Sequence, residues 1–237
     1  MAMPSPVADV PSPMHAARRS LSEEIPSSAT DNKKIFLMKI IKIWNDEASD
    51  RQLGEICRDL ESGHTMILPT DTLYAIACDA LNPKAIEKIC RLKGINPDKT
   101  NLSIICADIS MAAEYARFDN YAFRLLRDNT PGPFTFLFKS ASTLPKAFKG
   151  RKVVGVRIPD NKLCHDIASR LGHPILSTSI EYSDSDYAVN PGLIAEAYHE
   201  KVDFFIEGDD GDMQPSTIVD CTGNEPVIVR DGKGILK

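Results

Sequence analysis

Long apolar runs are missing from this sequence of 237 residues. No segment reaches the roughly 18 to 20 consecutive apolar residues that a membrane-spanning helix needs. The N-terminus also lacks the compact apolar core of a secretory signal peptide. We therefore expect a soluble, cytoplasmic protein with no membrane partner.

Metal-binding and disulfide patterns are missing as well. The cysteines include no C-x-x-C pair, and no histidine lies at metal-ligand spacing from any of them. We expect buried thiols in a reducing cytosol, with neither a disulfide framework nor a metal site. The six cysteines are Cys57, Cys78, Cys90, Cys106, Cys164 and Cys221.

Two common catalytic signatures are also lacking, the Walker A sequence and the G-x-S-x-G motif. The histidines His64, His165, His173 and His199 have no obvious catalytic partners nearby in the sequence. We therefore expect neither a P-loop nor a catalytic triad.

Charge is distributed unevenly along the chain. The formal net charge is -5, yet residues 121–162 contain nine Lys or Arg and only two acidic residues. Such a strip is typical of a phosphate-attracting face, although an ordinary solvated surface with lysines on edge strands explains it equally well. Its basic residues are Arg124, Arg127, Lys139, Lys146, Lys149, Arg151, Lys152, Arg157 and Lys162.

Two regions differ in composition. Residues 1–37 are rich in Pro and Ser and show no sustained period, so we expect a disordered extension. Residues 38–237 carry the apolar periodicity of a folded domain, in a chain that is 43% hydrophobic.

Strand-like and helix-like segments alternate throughout this second region, which favours a layered α/β domain with a mixed sheet. Apolar, β-branched runs predict strands over 36–44, 66–69, 102–106, 134–139, 153–158, 175–179, 204–206, 217–220 and 227–230. Helical spacing and capping residues predict helices over 49–60, 83–92, 112–115, 122–127, 163–171 and 193–199.

The segment LPTDTLY, residues 68–74, places two hydroxyls, a carboxylate and a phenol where an apolar strand ends. Ligand sites of α/β sheets often lie at strand ends. Thr70 and Thr72 could hydrogen-bond a small polar substrate, and Tyr74 could form a wall of its site. A Thr-Asp-Thr turn capped by its own side chains is the alternative.

Two basic residues stand at the ends of predicted elements. Arg157 ends the strand VVGVRIP, where a charge is costly unless it faces a cleft or a paired acid. Its planar fork suits a carboxylate or a phosphate, and a structural ion pair is equally compatible. Lys93 ends the helix that begins at Pro83. It could bind an anion, or it could simply be a cation that interacts favourably with the C-terminal end of the helix dipole.

Three polar clusters are weaker signals. Residues 177–179 and 216–217 are hydroxyl clusters at strand ends, which could bind phosphate or ribose but are also common in turns. The acidic loop 207–212 lacks the pattern of a calcium loop, which favours a solvated turn over a magnesium site.

Six short motifs occur in an order that resembles the YrdC-like family: PTDTLY, the helix end LKG, TPGPFTF, VGVRIP, PSTIVD and VIVRDG. The resemblance covers about 38–237. It implies a twisted, open mixed α/β sheet flanked by helices, with a basic concave surface that binds nucleotide and double-stranded RNA or tRNA. We expect Lys146, Lys149, Arg151 and Lys152 on the RNA-binding part of that surface.

The resemblance also implies an activity, the synthesis of threonylcarbamoyl-adenylate and pyrophosphate from L-threonine, bicarbonate and ATP with Mg²⁺. This reaction begins the threonylcarbamoyladenosine modification of tRNA. It would require no tightly bound cofactor.

Site residues are carried over by motif. Thr70, Thr72 and Tyr74 match the threonine side, and Lys93 and Arg157 match the basic residues near the reacting groups. The nucleotide side is matched by Ser179, Ser216 and Arg230.

The chain departs from the family pattern at three places. Ile95 stands where the family has arginine, Glu181 where it has asparagine, and Ala75 where glycine is usual. With these three departures the chain resembles the YciO branch of the family. Three hypotheses follow: a threonylcarbamoyl-adenylate synthase, a paralogue that hydrolyses a threonylcarbamoyl product with Glu181 orienting water, and a non-catalytic RNA-binding module.

Overall fold

The computed structural model describes residues 38–96, 102–141, 152–181 and 186–237. The extension expected over 1–37 lies outside these ranges. The strands are β1 Lys39–Lys42, β2 Thr65–Leu68, β3 Ala75–Asp79, β4 Ser103–Ile105, β5 Ala116–Arg117, β6 Phe134–Ser140, β7 Val153–Arg157, β8 Ile175–Ser179, β9 Phe204–Glu207, β10 Thr217–Asp220 and β11 Val227–Arg230. The helices are α1 Asp50–Glu61, α2 Pro83–Leu92, α3 Ile109–Tyr115, α4 Asn120–Asn129, α5 Lys162–Leu171, α6 Asp186–Val189 and α7 Pro191–Tyr198.

The strands form one twisted, open sheet in the order β1-β9-β2-β3-β8-β4-β7-β6-β10-β11, with β5 paired to β6. The pairs β1/β9, β2/β9, β4/β7 and β6/β10 are parallel, and the other pairs are antiparallel. The predicted mixed α/β sheet is therefore confirmed. Because β4 joins β8 and β7, the centre of the sheet collects strands that are distant in sequence.

Local capping chemistry fixes where several helices begin. Ser49 and Gln52 form a reciprocal capping box before α1. Asn82 accepts hydrogen bonds from the first turn of α2, and Pro83 occupies its first position. The predicted starts of both helices are accordingly confirmed.

Helices pack on both faces of the sheet. On one face, α2, α3, α4 and α7 bury apolar residues such as Ile86, Leu126 and Ile194 against Phe136 and Ile104. On the other face, α1 and α5 cover β2, β9 and parts of β3, β4 and β8. The remainder of this second face is where polar side chains gather.

The strand β3 is the main element that the sequence did not predict. It lies between β2 and β8, and all five of its residues are buried. None of the helices in the four described ranges has the length and apolarity needed to cross a membrane.

Candidate functional site

The loop between β2 and β3 holds the Thr-Asp-Thr segment in a self-bonded turn. Thr70 Oγ1 donates a hydrogen bond to the carbonyl of Leu73 and accepts one from the amide of Thr72. The turn therefore has the self-capped conformation. Thr70, Asp71 and Thr72 still line an open cleft of about 530 Å³, together with residues 210–213 and Lys233.

Arg157 connects this loop to the end of β7. Its Nη2 donates to Asp71 Oδ1 at 2.9 Å and to Thr72 Oγ1 at 3.0 Å. The side chains of Arg157 and Asp71 are both only 7% exposed. The Nε atom of Arg157 is buried and has no hydrogen-bond partner among the described residues. Since a buried guanidinium donor is costly to leave unpaired, this atom is a position where a ligand acceptor would be stabilising.

Arg157 also lines a second cavity, of about 170 Å³, on the uncovered part of the sheet. Ser103 pairs with Ser177 on one side and with Gly155 on the other, so the three residues share one face. A Cβ atom at Gly155 would lie 2.6 Å from Ser103 Oγ, so the glycine leaves space beside Ser103 on this face of the sheet. The other residues lining this hydroxyl cavity are Ile95, Leu102, Thr135, Thr178, Ser179, Ser216, Ile218 and Arg230.

Arg230 closes the hydroxyl cavity from β11. Its Nε and Nη2 donate to the carbonyl oxygen of Ser216, and Nη2 also donates to Ser216 Oγ. Burial, and then the nearby charge of Arg157, lower the pKa of the Arg230 guanidinium. The guanidinium remains charged, because its ordinary pKa is so high. Among the described residues Arg230 has no carboxylate partner in an ion pair, so its charge is available to an anion.

Lys93 lies at the C-terminal end of α2, next to the same cavity. Its Nζ donates to the carbonyl oxygen of Ser179 at 3.0 Å and forms an ion pair with Glu181 at 2.8 Å. Tyr198 Oη accepts from the Glu181 amide and donates to the Glu181 carbonyl oxygen, which fixes this backbone. At position 181, where the chain departs from the family pattern, the glutamate carboxylate is therefore in direct contact with the Lys93 ammonium group.

Tyr74 is buried rather than exposed to either cavity. Its ring stacks on Phe205, and its Oη donates to the carbonyl of Asp209 and accepts from the amide of Gly208. Burial raises the pKa of the Tyr74 phenol, so the hydroxyl stays protonated. The structure therefore places Tyr74 as an anchor of the acidic loop 207–212, behind the cleft and not on its wall.

The residues expected to bind RNA are described only in part. Lys146, Lys149 and Arg151 lie outside the described residues. Lys152 is exposed beside β7, and the neighbouring strands present Lys139 and Arg117, which are also exposed.

Several site residues were missed or left out of the sequence-based assignment. Asp71 belongs to the first motif, and a carboxylate next to a strand-end arginine could have suggested the pair with Arg157. Thr135 is a polar residue inside the apolar strand FTFLF and bonds Ser216 Oγ. Lys233 donates to the carbonyl oxygen of Asp71 and to Asp212. No sequence signal marks Lys233, because its partners lie far along the chain.

Comparison with known proteins gives consistent results. The model of the Sua5/YciO/YrdC family, which carries the description "Telomere recombination", matches residues 58–232. YciO of Escherichia coli strain K12, named as uncharacterized, is 34% identical over 198 residues, covering 82% of this chain and 96% of the relative. A Methanocaldococcus jannaschii protein, named as a candidate threonylcarbamoyl-AMP synthase, is 29% identical over 197 residues, covering 82% and 93%.

Solved structures agree with the fold. The crystal structure of E. coli YciO has a TM-score of 0.78 and 32% identity, covering 84% of this chain and 98% of that one. P. abyssi Sua5 complexed with L-threonine has a TM-score of 0.73 and 24% identity, covering 81% and 57%. The buried Arg157, the Thr-Asp-Thr turn and the hydroxyl cavity thus stand on a shared fold, and the chain belongs to the Sua5/YciO/YrdC family.

Proposed function

We propose that this protein forms threonylcarbamoyl-adenylate and pyrophosphate from L-threonine, bicarbonate and ATP. The observation that carries the proposal is Arg157, a buried guanidinium between two cavities whose Nε has no hydrogen-bond partner in the described part of the chain. The relative from M. jannaschii that is named as a candidate threonylcarbamoyl-AMP synthase supports the same chemistry.

The reaction needs two substrates brought together in a fixed orientation. Carboxylation of the threonine amine by bicarbonate, with loss of water, gives a carbamate. A carbamate oxygen then bonds to the α-phosphorus of ATP, and the bond from this phosphorus to the bridging oxygen breaks to release pyrophosphate. Such a step depends on orientation and on positive charge near the phosphates more than on a strong base.

The two cavities divide the substrates in this proposal. L-threonine occupies the cleft at Thr70 and Thr72, and the nucleotide occupies the hydroxyl cavity with Ser179, Ser216 and Arg230 around it. Arg157 lies between the two cavities and Lys93 lies beside the hydroxyl cavity, and both face the α-phosphorus of the adenylyl group that is transferred. Tyr74 contributes indirectly, because it holds the loop that borders the threonine cleft. Mg²⁺ enters with ATP as part of the substrate.

The test is direct product detection. Purified full-length protein is incubated with ATP, Mg²⁺, L-threonine and bicarbonate, and threonylcarbamoyl-adenylate and pyrophosphate are quantified. We expect Arg157→Lys to lower product formation by about 10²-fold or more, because lysine cannot reproduce the planar fork. Arg127→Lys is the matched control, since Arg127 is exposed and forms an ion pair with neighbouring Asp128 on α4. A folded wild-type protein that yields no product would contradict the proposal.

RNA binding is a second candidate function, favoured by the exposed cations at the end of β5, β6 and β7. Arg117 and Lys139 are paired across β5 and β6. Lys152 lies just before β7, where its carbonyl oxygen accepts a hydrogen bond from the amide of Ser140. A phosphate-binding face should show affinity for tRNA that falls steeply with added salt. We expect the triple change of Arg117, Lys139 and Lys152 to Gln to reduce that affinity and its salt dependence, while Lys84→Gln, at an exposed lysine of α2 outside the basic strip, has little effect.

A further inference from the structure

The ion pair between Lys93 and Glu181 has unequal partners. The Lys93 side chain is 12% exposed, whereas the Glu181 side chain is 71% exposed. Lys93 is held in place by the carbonyl of Ser179, a residue that lines the hydroxyl cavity. Glu181 therefore lies on the solvent side of a nearly buried cation and neutralises it from there.

The described charges at the hydroxyl cavity nearly balance. Arg157 and Arg230 line the cavity and Lys93 lies beside it on Ser179, while Asp71 pairs with Arg157 and Glu181 pairs with Lys93. One net positive charge remains, on the guanidinium of Arg230. This charge can neutralise the single phosphate charge of an adenylate, and it offsets about half of the phosphate charge of a nucleoside monophosphate. Each further phosphoryl group brings more negative charge, and the other two cations of this set, Arg157 and Lys93, each already have a carboxylate partner.

We propose that Glu181 is a specificity-determining residue that makes the nucleotide site prefer a single phosphoryl group, as in AMP or an adenylate, over the triphosphate of ATP. A carboxylate beside the phosphates repels the β- and γ-phosphoryl groups, and it also removes Lys93 as their counter-charge.

This inference rests on the proposed function, because it assigns the nucleotide to the hydroxyl cavity. For a synthase it means that the adenylate product is held more firmly than ATP. The site then favours product formation at the expense of ATP affinity, and release of the adenylate becomes a slow step. For catalysis in the reverse or hydrolytic direction, the same preference would hold the adenylate as the substrate.

The experiment is calorimetric titration of the full-length protein with AMP, ADP and ATP in the presence of EDTA, so that no magnesium screens the phosphates. For the wild type we expect AMP to bind more tightly than ATP, by about fivefold or more, with ADP between them. Glu181→Gln should improve ATP affinity by about fivefold and change AMP affinity by less than about twofold.

The matched control is Glu61→Gln, which removes the same charge from an exposed position at the C-terminal end of α1, a helix with no described residue in the lining of the hydroxyl cavity. It should leave both affinities unchanged. The Glu181 backbone is held by Tyr198 Oη, so the Gln variant should keep the fold, and circular dichroism checks this.

Three results would overturn the inference: equal or tighter binding of ATP by the wild type, equal shifts of ATP and AMP in Glu181→Gln, or no binding of any nucleotide. The synthase proposal fails separately, when nucleotides bind with the expected order but no threonylcarbamoyl-adenylate forms with Mg²⁺, L-threonine and bicarbonate present. The two failures are therefore distinguishable.

Discussion

Arg157 Nη2 lies 2.9 Å from Asp71 Oδ1, and this ion pair joins the end of β7 to the loop after β2 with both side chains nearly buried. Asp71 Oδ2 also accepts a hydrogen bond from the amide of Asp160, so the carboxylate is bound on both oxygens. The pair thus fixes the turn that carries Thr70 and Thr72. It serves the stability of the domain and the geometry of the site together.

Removing one partner of this pair should be costly. We expect Arg157→Ala to lower the free energy of unfolding by about 3–5 kcal/mol, because it leaves the Asp71 carboxylate buried without its cation. The double variant Arg157→Met with Asp71→Asn should lose less, since no buried charge remains. Urea unfolding of both variants measures the difference. A loss below about 1 kcal/mol in Arg157→Ala would show that water solvates Asp71 readily.

Tyr74→Phe tests the anchor of the acidic loop. The change removes the hydroxyl that bonds the Asp209 carbonyl and the Gly208 amide but keeps the ring on Phe205. We expect a loss of about 1 kcal/mol in the free energy of unfolding and faster hydrogen exchange at residues 208–212. Tyr121→Phe, at an exposed tyrosine, is the control. Unchanged exchange in the loop would show that other contacts hold it.

The ion pair between Lys233 and Asp212 predicts a pH dependence. The hydrogen bond from Lys233 lowers the pKa of the Asp212 carboxyl from its ordinary value of 3.8. A carboxyl with a lowered folded-state pKa stabilises the protein above the unfolded pKa, and the contribution is lost as the pH falls through the folded pKa. Both side chains are partly exposed, so the pair contributes only about 0.5 kcal/mol.

Lys233→Met should therefore be less stable than the wild type at about pH 7, and this difference should shrink below the ordinary aspartate pKa. The free energy of unfolding at several pH values gives the comparison. Lys84→Met, which removes an exposed lysine from α2, should show no such narrowing. A difference that stays constant down to about pH 2 would contradict the assignment.

The cysteines should react slowly in the native protein. All six are free thiols, and five of them are buried. Burial raises the pKa of Cys57 to about 11 and that of the partly exposed Cys221 to about 12. Since the thiolate is the reactive form, a thiol reagent at about pH 8 should modify the folded protein slowly, with Cys221 first. The protein in concentrated urea should react at six thiols, and rapid native reaction at several thiols would contradict the burial.

Several features were readable from the sequence because their causes are local. Asn82 followed by Pro83 marks the start of α2, and the β-branched runs at 217–220 and 227–230 predict β10 and β11 at their observed bounds. Family membership was also readable, since it depends on the order of short motifs. The strand β3 was missed because Ala75 to Cys78 are all apolar, with Ile76 as their single β-branched residue, so no period-2 pattern marks them.

The sequence by itself determined the α/β class, most of the elements and the family, because capping, periodicity and motif order act over a few residues each. Only the tertiary structure decided which polar side chains share a site. The sheet order places β8, β4, β7, β6 and β10 side by side, so that Ser177, Ser103 and Thr135 line one cavity. It also turned Tyr74 away from the cleft and placed Glu181 on Lys93, because these contacts depend on the packing of chain segments that are far apart in the sequence.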